Sequence, residues 1–466
     1  MANPEVINSK GTALKEASIE TFQGYLEGEV LRPGDDGYDE ARKVWNGMID
    51  KRPALIARCT EAADVIQSVQ FAREYDLLVS VRGGGHNYAG KSVCDNGLMI
   101  DLSCMKGIRV DPVQRTARAE AGLKLGEFDH ETQAFGLATT LGVNTDTGIA
   151  GLTLGGGNGW LGGEFGLACD NLLAVDVVTA DGRLVTASAE ENTDLFWGVR
   201  GAGANLGIVT SFEYQLHPVG SVLGGMVIYP LSEAREFLRF FHEFSSTAPD
   251  QLSTIGLLLV TPDGSPAVAG AVCHSGPLDE AEKALKPLRT FSSPLADLIE
   301  PRSYVQMQTL FDEAWAPGRL YYNKSSNICD LSDEAIETLV EYARAMPTPL
   351  SCIYFQRLHG AASRVPESDT AFPHRYEHYV FGVHPATEEP ADIEKMKRWA
   401  QECWQEMLPF VEQAVYVNAL EDYLEEGDQR IREAYEPNYE RLVALKTKYD
   451  PSNFFQLNQN IPPAGS

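Results

Sequence analysis

The sequence reads Arg82-Gly83-Gly84-Gly85-His86-Asn87-Tyr88 directly after Leu77-Leu78-Val79-Ser80-Val81, an apolar run that predicts a buried strand. Two further glycine-dense segments occur at 148–163 and 201–207. Glycine has no Cβ atom and adopts either sign of φ, so consecutive N–H groups can converge on a diphosphate. Turns and bulges would explain one such segment, but three of them predict a site for an anionic cofactor.

The spacing of apolar residues predicts a mixed α+β fold. Val65, Val69 and Ala72 recur at helical spacing and predict a helix before the first glycine segment. Strands are predicted at 98–102, 173–178, 207–214, 254–260 and 351–358, and amphipathic helices near 232–245, 278–290 and 332–345. A chain of 466 residues is too long to fold around a single hydrophobic core, so we expect two lobes.

Composition and charge exclude several classes of partner. The chain has 66 Asp and Glu against 38 Lys and Arg, a formal charge of −28 that repels nucleic acid and anionic lipid. The N-terminal stretch lacks the basic start and apolar run of a secretory signal, and no stretch is long and apolar enough to span a membrane. We therefore expect a cytoplasmic protein. The eight scattered cysteines form no CxxC pair, which predicts neither a disulfide framework nor a metal site.

A G-x-G-x-x-G pattern occurs at Gly157-Asn158-Gly159-Trp160-Leu161-Gly162, and Asp176 lies about 20 residues further on, as in a Rossmann dinucleotide site. The preceding residues Gly151-Leu152-Thr153-Leu154 make a poor strand, and more glycine is present where a helix should begin. We therefore expect no Rossmann fold here. The sequence has no Walker A pattern, which argues against an ATPase.

The glycine segments carry a specific resemblance. Five segments occur in this order: Arg82 to Tyr88, Gly148-Ile149-Ala150-Gly151-Leu152-Thr153-Leu154-Gly155-Gly156-Gly157, Gly201-Ala202-Gly203-Ala204-Asn205-Leu206-Gly207-Ile208-Val209, Asn438-Tyr439-Glu440-Arg441-Leu442 and the ending Leu457-Asn458-Gln459-Asn460-Ile461-Pro462-Pro463. This ordered set resembles the berberine bridge enzyme-like branch of the vanillyl-alcohol oxidase/p-cresol methylhydroxylase (PCMH) flavoprotein superfamily. The resemblance implies a PCMH-type FAD-binding domain at 1–218, completed by a C-terminal segment at 430–466. Residues 219–429 would form a substrate domain of antiparallel sheet backed by helices.

The resemblance also implies how FAD is held. Its covalent histidine, which bonds the 8α-methyl carbon of the flavin, corresponds to His86. The cysteine that forms a second link in many relatives corresponds to Asn144, which has no thiol, so a single covalent link is expected. The remaining FAD contacts are expected from Arg82, Gly83, Gly84, Gly85, Asn87, Ser92, Asn144, Gly148, Gly151, Gly155, Gly156, Gly157, Ile208, Asn458 and Asn460. Cys104 and Cys169 do not match the second link and are expected to pack.

Catalysis requires a base that takes the substrate proton while hydride passes to the flavin. In relatives the base is often a tyrosine or carboxylate of the substrate domain, and here the stretch Tyr416-Val417-Asn418-Ala419 keeps the tyrosine and the asparagine. Plant members place a glutamate base in the segment that reads Ala362-Ser363-Arg364-Val365 here, and this segment contains no obvious base. Tyr416 is therefore the first candidate for the base and Tyr88 is the second. Lower-ranked candidates are Tyr354, His359 and Tyr379.

The function implied by the resemblance is an oxidase acting on a CH–OH or CH–NH group of a small organic substrate, with O2 as acceptor and hydrogen peroxide as product. The missing second link favours a secondary metabolite, alkaloid or aromatic alcohol over a carbohydrate. Oxidative cyclisation or rearrangement and carbohydrate oxidation remain alternatives. A non-catalytic protein that binds a small molecule is the least favoured alternative. We expect a monomer or homodimer.

Overall fold

The first half of the chain forms two sheets in the computed structural model, which describes residues 6–8, 10–421 and 429–465. One sheet pairs its strands in the order Glu29–Leu31, Leu55–Arg58, Leu98–Asp101 and Val79–Arg82, the last three being parallel. The other is antiparallel, in the order Ile108–Asp111, Thr116–Glu120, Ile208–Gln215, Leu172–Val178 and Leu184–Ser188. The strand Val79–Arg82 ends where the first glycine segment begins.

Short helices pack on these two sheets. They span Glu16–Gln23, Tyr38–Ala41, Ala62–Glu74, Leu125–Gln133, Ile149–Leu154, Gly162–Phe165 and Thr193–Ala202. The helix predicted before the first glycine segment is confirmed as Ala62–Glu74, with Val65, Val69 and Ala72 buried. A Rossmann fold is absent there as expected, because the described residues before Gly157 form the helix Ile149–Leu154 instead of a strand.

A third sheet, fully antiparallel and built from longer strands, occupies the middle of the chain. Its order is Ala296–Asp297, Val222–Pro230, Pro266–His274, Leu252–Val260, Cys352–Leu358, His378–His384 and Lys324–Ile328, and Glu300–Arg302 also pairs with Val222–Pro230. Helices Ala234–Ser246, Leu278–Arg289, Tyr304–Gln308, Asp333–Arg344, Ala361–Arg364 and Ile393–Met407 accompany it. Minor strand pairs join Leu137–Ala138 to His217–Pro218 and Leu320–Tyr321 to Ala386–Thr387. The predicted α+β class, with an antiparallel sheet backed by helices, is confirmed.

Amphipathic spacing explains how the helices cover this sheet. In Ala234–Ser246 the side chains of Phe237, Leu238 and Phe241 are fully buried, at helical spacing on one face. Burying side chains of this size stabilises the fold by roughly 1.5–3 kcal/mol each. They belong to a core that contains sheet residues such as Val272 and Phe355, separate from the core of the first two sheets.

The C-terminal helices Gln429–Tyr435 and Tyr439–Tyr449 return to the first core, where Tyr435, Leu442, Leu445 and Phe455 are buried. Lys446 and Asp450 form an ion pair at 2.7 Å with both side chains fully buried. The domain boundaries at 218 and 429 stay predictions. No helix of the described residues is long and apolar enough to cross a membrane.

Two carboxylates, the largely buried Asp170 and the fully buried Asp129, connect distant parts of the chain. Asp170 accepts two hydrogen bonds from the guanidinium of Arg375, at 2.6 and 2.7 Å. Asp129 accepts one hydrogen bond, at 2.8 Å, from the side-chain amide of Gln308, and the other oxygen of its carboxylate has no hydrogen-bond partner. Burial raises the pKa of Asp129 to about 7. Cys169, beside the first pair, is buried as expected.

Candidate active site

One cavity of about 330 Å³ lies where the glycine segments, the C-terminal tail and the long antiparallel sheet meet. Its walls include most of the residues predicted to bind the cofactor. These are Gly83, Gly84, Gly85, His86, Asn87, Ser92, Asn144, Gly148, Gly151, Gly155 and Asn458. The candidate bases Tyr88, Tyr354 and Tyr416 line the same cavity.

Two glycine segments touch backbone to backbone at the cavity. A Cβ atom added at Gly84 would lie 2.3 Å from the backbone nitrogen of Gly148, and one added at Gly148 would lie 2.4 Å from that of Gly84. Any larger residue would force the segments apart. By contrast, a Cβ atom at Gly151 would meet nothing within 4 Å. The close contact explains why both segments need glycine.

His86 is held by a carboxylate and an aromatic ring. Its Nε2 atom lies 3.0 Å from Oδ2 of Asp146, whose Oδ1 pairs with the ammonium of Lys124. The imidazole stacks on Trp45 with ring centres 5.0 Å apart. Burial lowers the pKa of His86, against the opposing effect of Asp146. The lowered pKa favours the neutral imidazole near neutral pH.

The oxygen of Tyr416 accepts two hydrogen bonds. The backbone N–H of Gly157 donates at 3.0 Å and the side-chain amide of Asn418 donates at 2.8 Å. Asn418 is fixed in turn, because its amide also donates to the carbonyl of Leu152 at 3.0 Å. Burial raises the pKa of Tyr416, although both hydrogen bonds act in the opposite direction. The fold thus places two donors where negative charge on the tyrosine would reside.

The middle of the chain supplies a mainly apolar wall, which consists of Ile255, Trp315, Tyr354, Gln356 and Val380. Space for the ring of Tyr354 comes from Gly382, its cross-strand neighbour, where a Cβ atom would lie 2.2 Å from the ring. Among the described residues of this wall none is charged. Such a surface suits a flat, uncharged group.

Comparisons with known proteins identify the family. Residues 53–188 match the family described as FAD binding domain, and residues 415–462 match berberine and berberine like. An FAD-linked oxidoreductase of Dictyostelium discoideum is 33% identical, the alignment covering 96% of this chain and 97% of the relative. The chain belongs to the berberine bridge enzyme-like FAD-linked oxidoreductases. It is an FAD-dependent oxidoreductase.

Two further members of the berberine bridge enzyme-like family show how far the likeness extends. (R)-6-hydroxynicotine oxidase of Paenarthrobacter nicotinovorans is 32% identical over 95% of this chain and 98% of its own. The crystal structure of 6-hydroxy-D-nicotine oxidase from Arthrobacter nicotinovorans superimposes with a TM-score of 0.86 at 31% identity, covering 94% of this chain and 98% of that one.

Unpartnered polar atoms along the cavity fit the cofactor of this berberine bridge enzyme-like protein. The side-chain amide nitrogens of Asn144 and Asn158 are buried donors without a partner, and the hydroxyl of Ser92 is also unpaired. Asn458 and Gln459 each present an unpaired amide oxygen. Buried polar groups are normally satisfied, so this set of donors and acceptors matches a polar ligand such as FAD. The described residues contain no cluster of metal ligands.

Several residues that were predicted to contact the cofactor are not among the residues that line this cavity. The guanidinium of Arg82 donates to the carbonyl of Ala41 and lies 3.8 Å from the carboxylate of Asp101, so it does not line the cavity. Gly156, Gly157, Ile208 and Asn460 are also not among the lining residues, although Gly157 contributes through its bond to Tyr416. The lesser candidates His359 and Tyr379 do not line it either, and the hydroxyl of Tyr379 lies beside Ser245 in the second core.

The sequence patterns did not identify several other residues at the site. Asp146 lies two residues after Asn144, and no motif marks it in the sequence. Asn205 lies in the glycine segment 201–207 and Gln459 lies in the C-terminal motif Leu457 to Pro463, so these two motifs were the signals that could have identified them. Trp45 and Trp315 reach the cavity from irregular segments, and no local pattern marks either of them.

Proposed function

We propose that the protein is an oxidase that transfers hydride from a CH–OH or CH–NH group of a small organic substrate to FAD, with dioxygen as acceptor and hydrogen peroxide as product. One observation carries the proposal. A single cavity extends from the glycine segments to the apolar wall with Trp315 and Tyr354, so cofactor and substrate share one chamber. A berberine bridge enzyme-like relative, (R)-6-hydroxynicotine oxidase, supports the oxidase reading by its name.

The proposed cofactor is FAD with a single covalent link to His86. The neutral imidazole lines the cavity and is oriented by Asp146 and Trp45, which supports its role as the attacking group. Asn144 lines the cavity without a thiol, so no second link forms. Gly83, Gly84 and Gly148 are the proposed contacts of the diphosphate, where backbone approaches without side chains in between.

FAD supplies the hydride acceptor when it is bound. Tyr416 is the proposed base that takes the O–H or N–H proton of the substrate, and Tyr88 is the second candidate. Gly157 and Asn418 donate to the Tyr416 oxygen and stabilise its deprotonated form. Because burial raises the pKa of Tyr416, little of it is deprotonated at neutral pH, and the deprotonated fraction grows as the pH rises. The rate of flavin reduction should therefore increase from neutral to alkaline pH.

The proposed substrate is a small, uncharged aromatic amine or alcohol. Trp315, Tyr354 and Val380 present apolar surface, and Gln356 offers one amide for a polar substituent. An oligosaccharide would leave many hydroxyl groups facing this wall without partners, which disfavours a carbohydrate. An ammonium or carboxylate would find no counter-ion among the described residues of the wall.

A substrate panel tests this function. The yellow protein is mixed anaerobically with aromatic amines, aromatic alcohols and sugars, and bleaching of the flavin is followed before air is admitted and peroxide is measured. Bleaching by an aromatic amine or alcohol with peroxide release is the expected result. Failure of every compound to reduce the flavin would favour a binding protein, and a cyclised or rearranged product would favour the alternative chemistry. Cytoplasmic location and a monomeric or dimeric state stay predictions.

A further inference from the structure

The short loop that contains Asn144, Thr145 and Asp146 is fixed on several sides. The backbone N–H of Asp146 donates to Oδ1 of Asn144 at 3.0 Å. Asp312 accepts from the backbone N–H of Thr145 at 2.9 Å and from its hydroxyl at 2.5 Å. The loop therefore holds the carboxylate of Asp146 in one position relative to the cavity.

The two oxygens of Asp146 face different partners. Oδ2 lies 3.0 Å from Nε2 of His86, and Oδ1 pairs with Nζ of Lys124. Burial would raise the pKa of Asp146, but hydrogen bonds from His86 and Lys124 hold it below its ordinary value. An ionised carboxylate accepts hydrogen bonds and donates none. The ring proton of neutral His86 therefore resides on Nε2, and the lone pair resides on Nδ1.

We propose that Asp146 is a positioning residue for covalent attachment of FAD, which fixes the Nε2–H tautomer of His86 so that Nδ1 forms the bond. This inference rests on the covalent link given under the proposed function. Trp45 contributes by stacking on the ring, which limits its rotation.

The attachment step balances with dioxygen as oxidant. The bond between Nδ1 and the 8α carbon forms while one C–H bond of the methyl group breaks. The methyl proton and the Nε2 proton are released, and the electron pair reduces the flavin ring, which takes up two protons. Dioxygen then accepts the two electrons and two protons and leaves as hydrogen peroxide. As Nδ1 bonds, positive charge develops on the imidazole, and the Asp146 carboxylate stabilises it until the Nε2 proton departs.

The position of Lys124 makes the test specific. In Asp146→Asn the ammonium of Lys124 should keep its hydrogen bond to the side-chain oxygen, which is now the amide oxygen of the asparagine. The amide NH2 group then faces Nε2 of His86 and donates to it, so the ring proton must move to Nδ1. Attachment should then slow by about 100-fold. Adding Lys124→Met frees the amide to turn its oxygen toward His86, so the double variant should attach flavin faster than Asp146→Asn alone.

The experiment uses full-length apo-protein from flavin-limited cells, mixed with FAD in air. Samples are quenched with acid over time, and flavin in the precipitated polypeptide is measured by absorbance and intact mass. Asp263→Asn is the control, because Asp263 is an exposed carboxylate that bonds Thr261 and Ser265 and does not contact His86, and it should attach flavin at the wild-type rate. FAD bound before the quench shows that each variant is folded.

A second measurement needs no Asp146 variant. The ring nitrogen shifts of ¹⁵N-histidine apo-protein report which nitrogen of His86 carries the proton, with His86→Gln identifying the signal. A proton on Nε2 supports the proposal, and a proton on Nδ1 overturns it. Wild-type attachment by Asp146→Asn also overturns it. If wild-type protein binds FAD but releases all of it on acid precipitation, the covalent link itself is wrong.

Discussion

Replacing Lys446 by methionine should destabilise the first core far more than replacing a neighbouring surface lysine. The Lys446 ammonium is fully buried and donates to Asp450 at 2.7 Å and to the carbonyls of Asn205 and Phe455 at 3.0 and 2.8 Å. Methionine keeps the apolar stem but removes all three donors. Asp450 would then remain buried with no cation, held by the N–H groups of Phe454 and Phe455 and by the hydroxyl of Ser452.

The magnitude comes from leaving that carboxylate without its partner. Breaking a buried pair by removing one member costs about 3–5 kcal/mol, because an uncompensated charge stays in the interior. Lys446→Met should therefore lower the free energy of unfolding by about 4 kcal/mol. Lys446→Met combined with Asp450→Asn should lose less than the single variant, because neither charge remains.

Urea unfolding monitored by tryptophan fluorescence measures the loss. The matched control is Lys448→Met on the same helix. Lys448 is largely exposed and pairs at 2.5 Å with a half-exposed Asp194. A pair of this kind contributes about 0–1 kcal/mol. If Lys446→Met cost no more than Lys448→Met, or if the double variant lost more stability than Lys446→Met alone, the argument from buried charge would fail.

Single side chains give three other predictions. Burial raises the pKa of Asp129 to about 7, so the folded state binds a proton that the unfolded chain releases above about pH 4. Stability should therefore fall as pH rises from about 4 to 7, by about 4 kcal/mol in total, and Asp129→Asn should flatten this dependence in urea titrations across that range. Gly148→Ala would place Cβ 2.4 Å from the backbone nitrogen of Gly84 and should cost roughly 1–3 kcal/mol in urea unfolding, whereas Gly151→Ala meets open space and should not destabilise the chain. Tyr416→Phe should slow anaerobic flavin reduction by about 100-fold or more while the protein keeps its full FAD content, and unchanged reduction would exclude Tyr416 as the base.

Features that depend on local sequence could be predicted well. Glycine segments mark a close backbone approach by composition alone, and the contact of Gly84 with Gly148 is the approach they allow. Apolar spacing identified the helix Ala62–Glu74 and the strands Leu252–Val260 and Cys352–Leu358 within a few residues. These signals are local because they arise from φ freedom and from side-chain periodicity.

Features set by tertiary contacts could not be predicted in the same way. Arg82 begins the first glycine segment, yet its guanidinium bonds the carbonyl of Ala41, which lies far away in sequence. Asp146 has no motif of its own, and only the fold brings it to His86. Trp315 reaches the cavity from an irregular stretch where no periodicity applies. Such positions depend on packing between segments, which a single sequence does not encode as a pattern.

The cavity joins Gly84 and His86 to Asn458 and Gln459, which are synthesised at very different times. During translation the ribosome exposes the histidine long before it has made the residues that form the facing wall. The side chain of Asn205 also lacks its partners until the C-terminal segment is made, because it donates to the carbonyl of Gln459 and accepts from the backbone N–H of Ile461. A nascent chain therefore has no complete flavin site until the segment that contains Asn458 and Gln459 has been made.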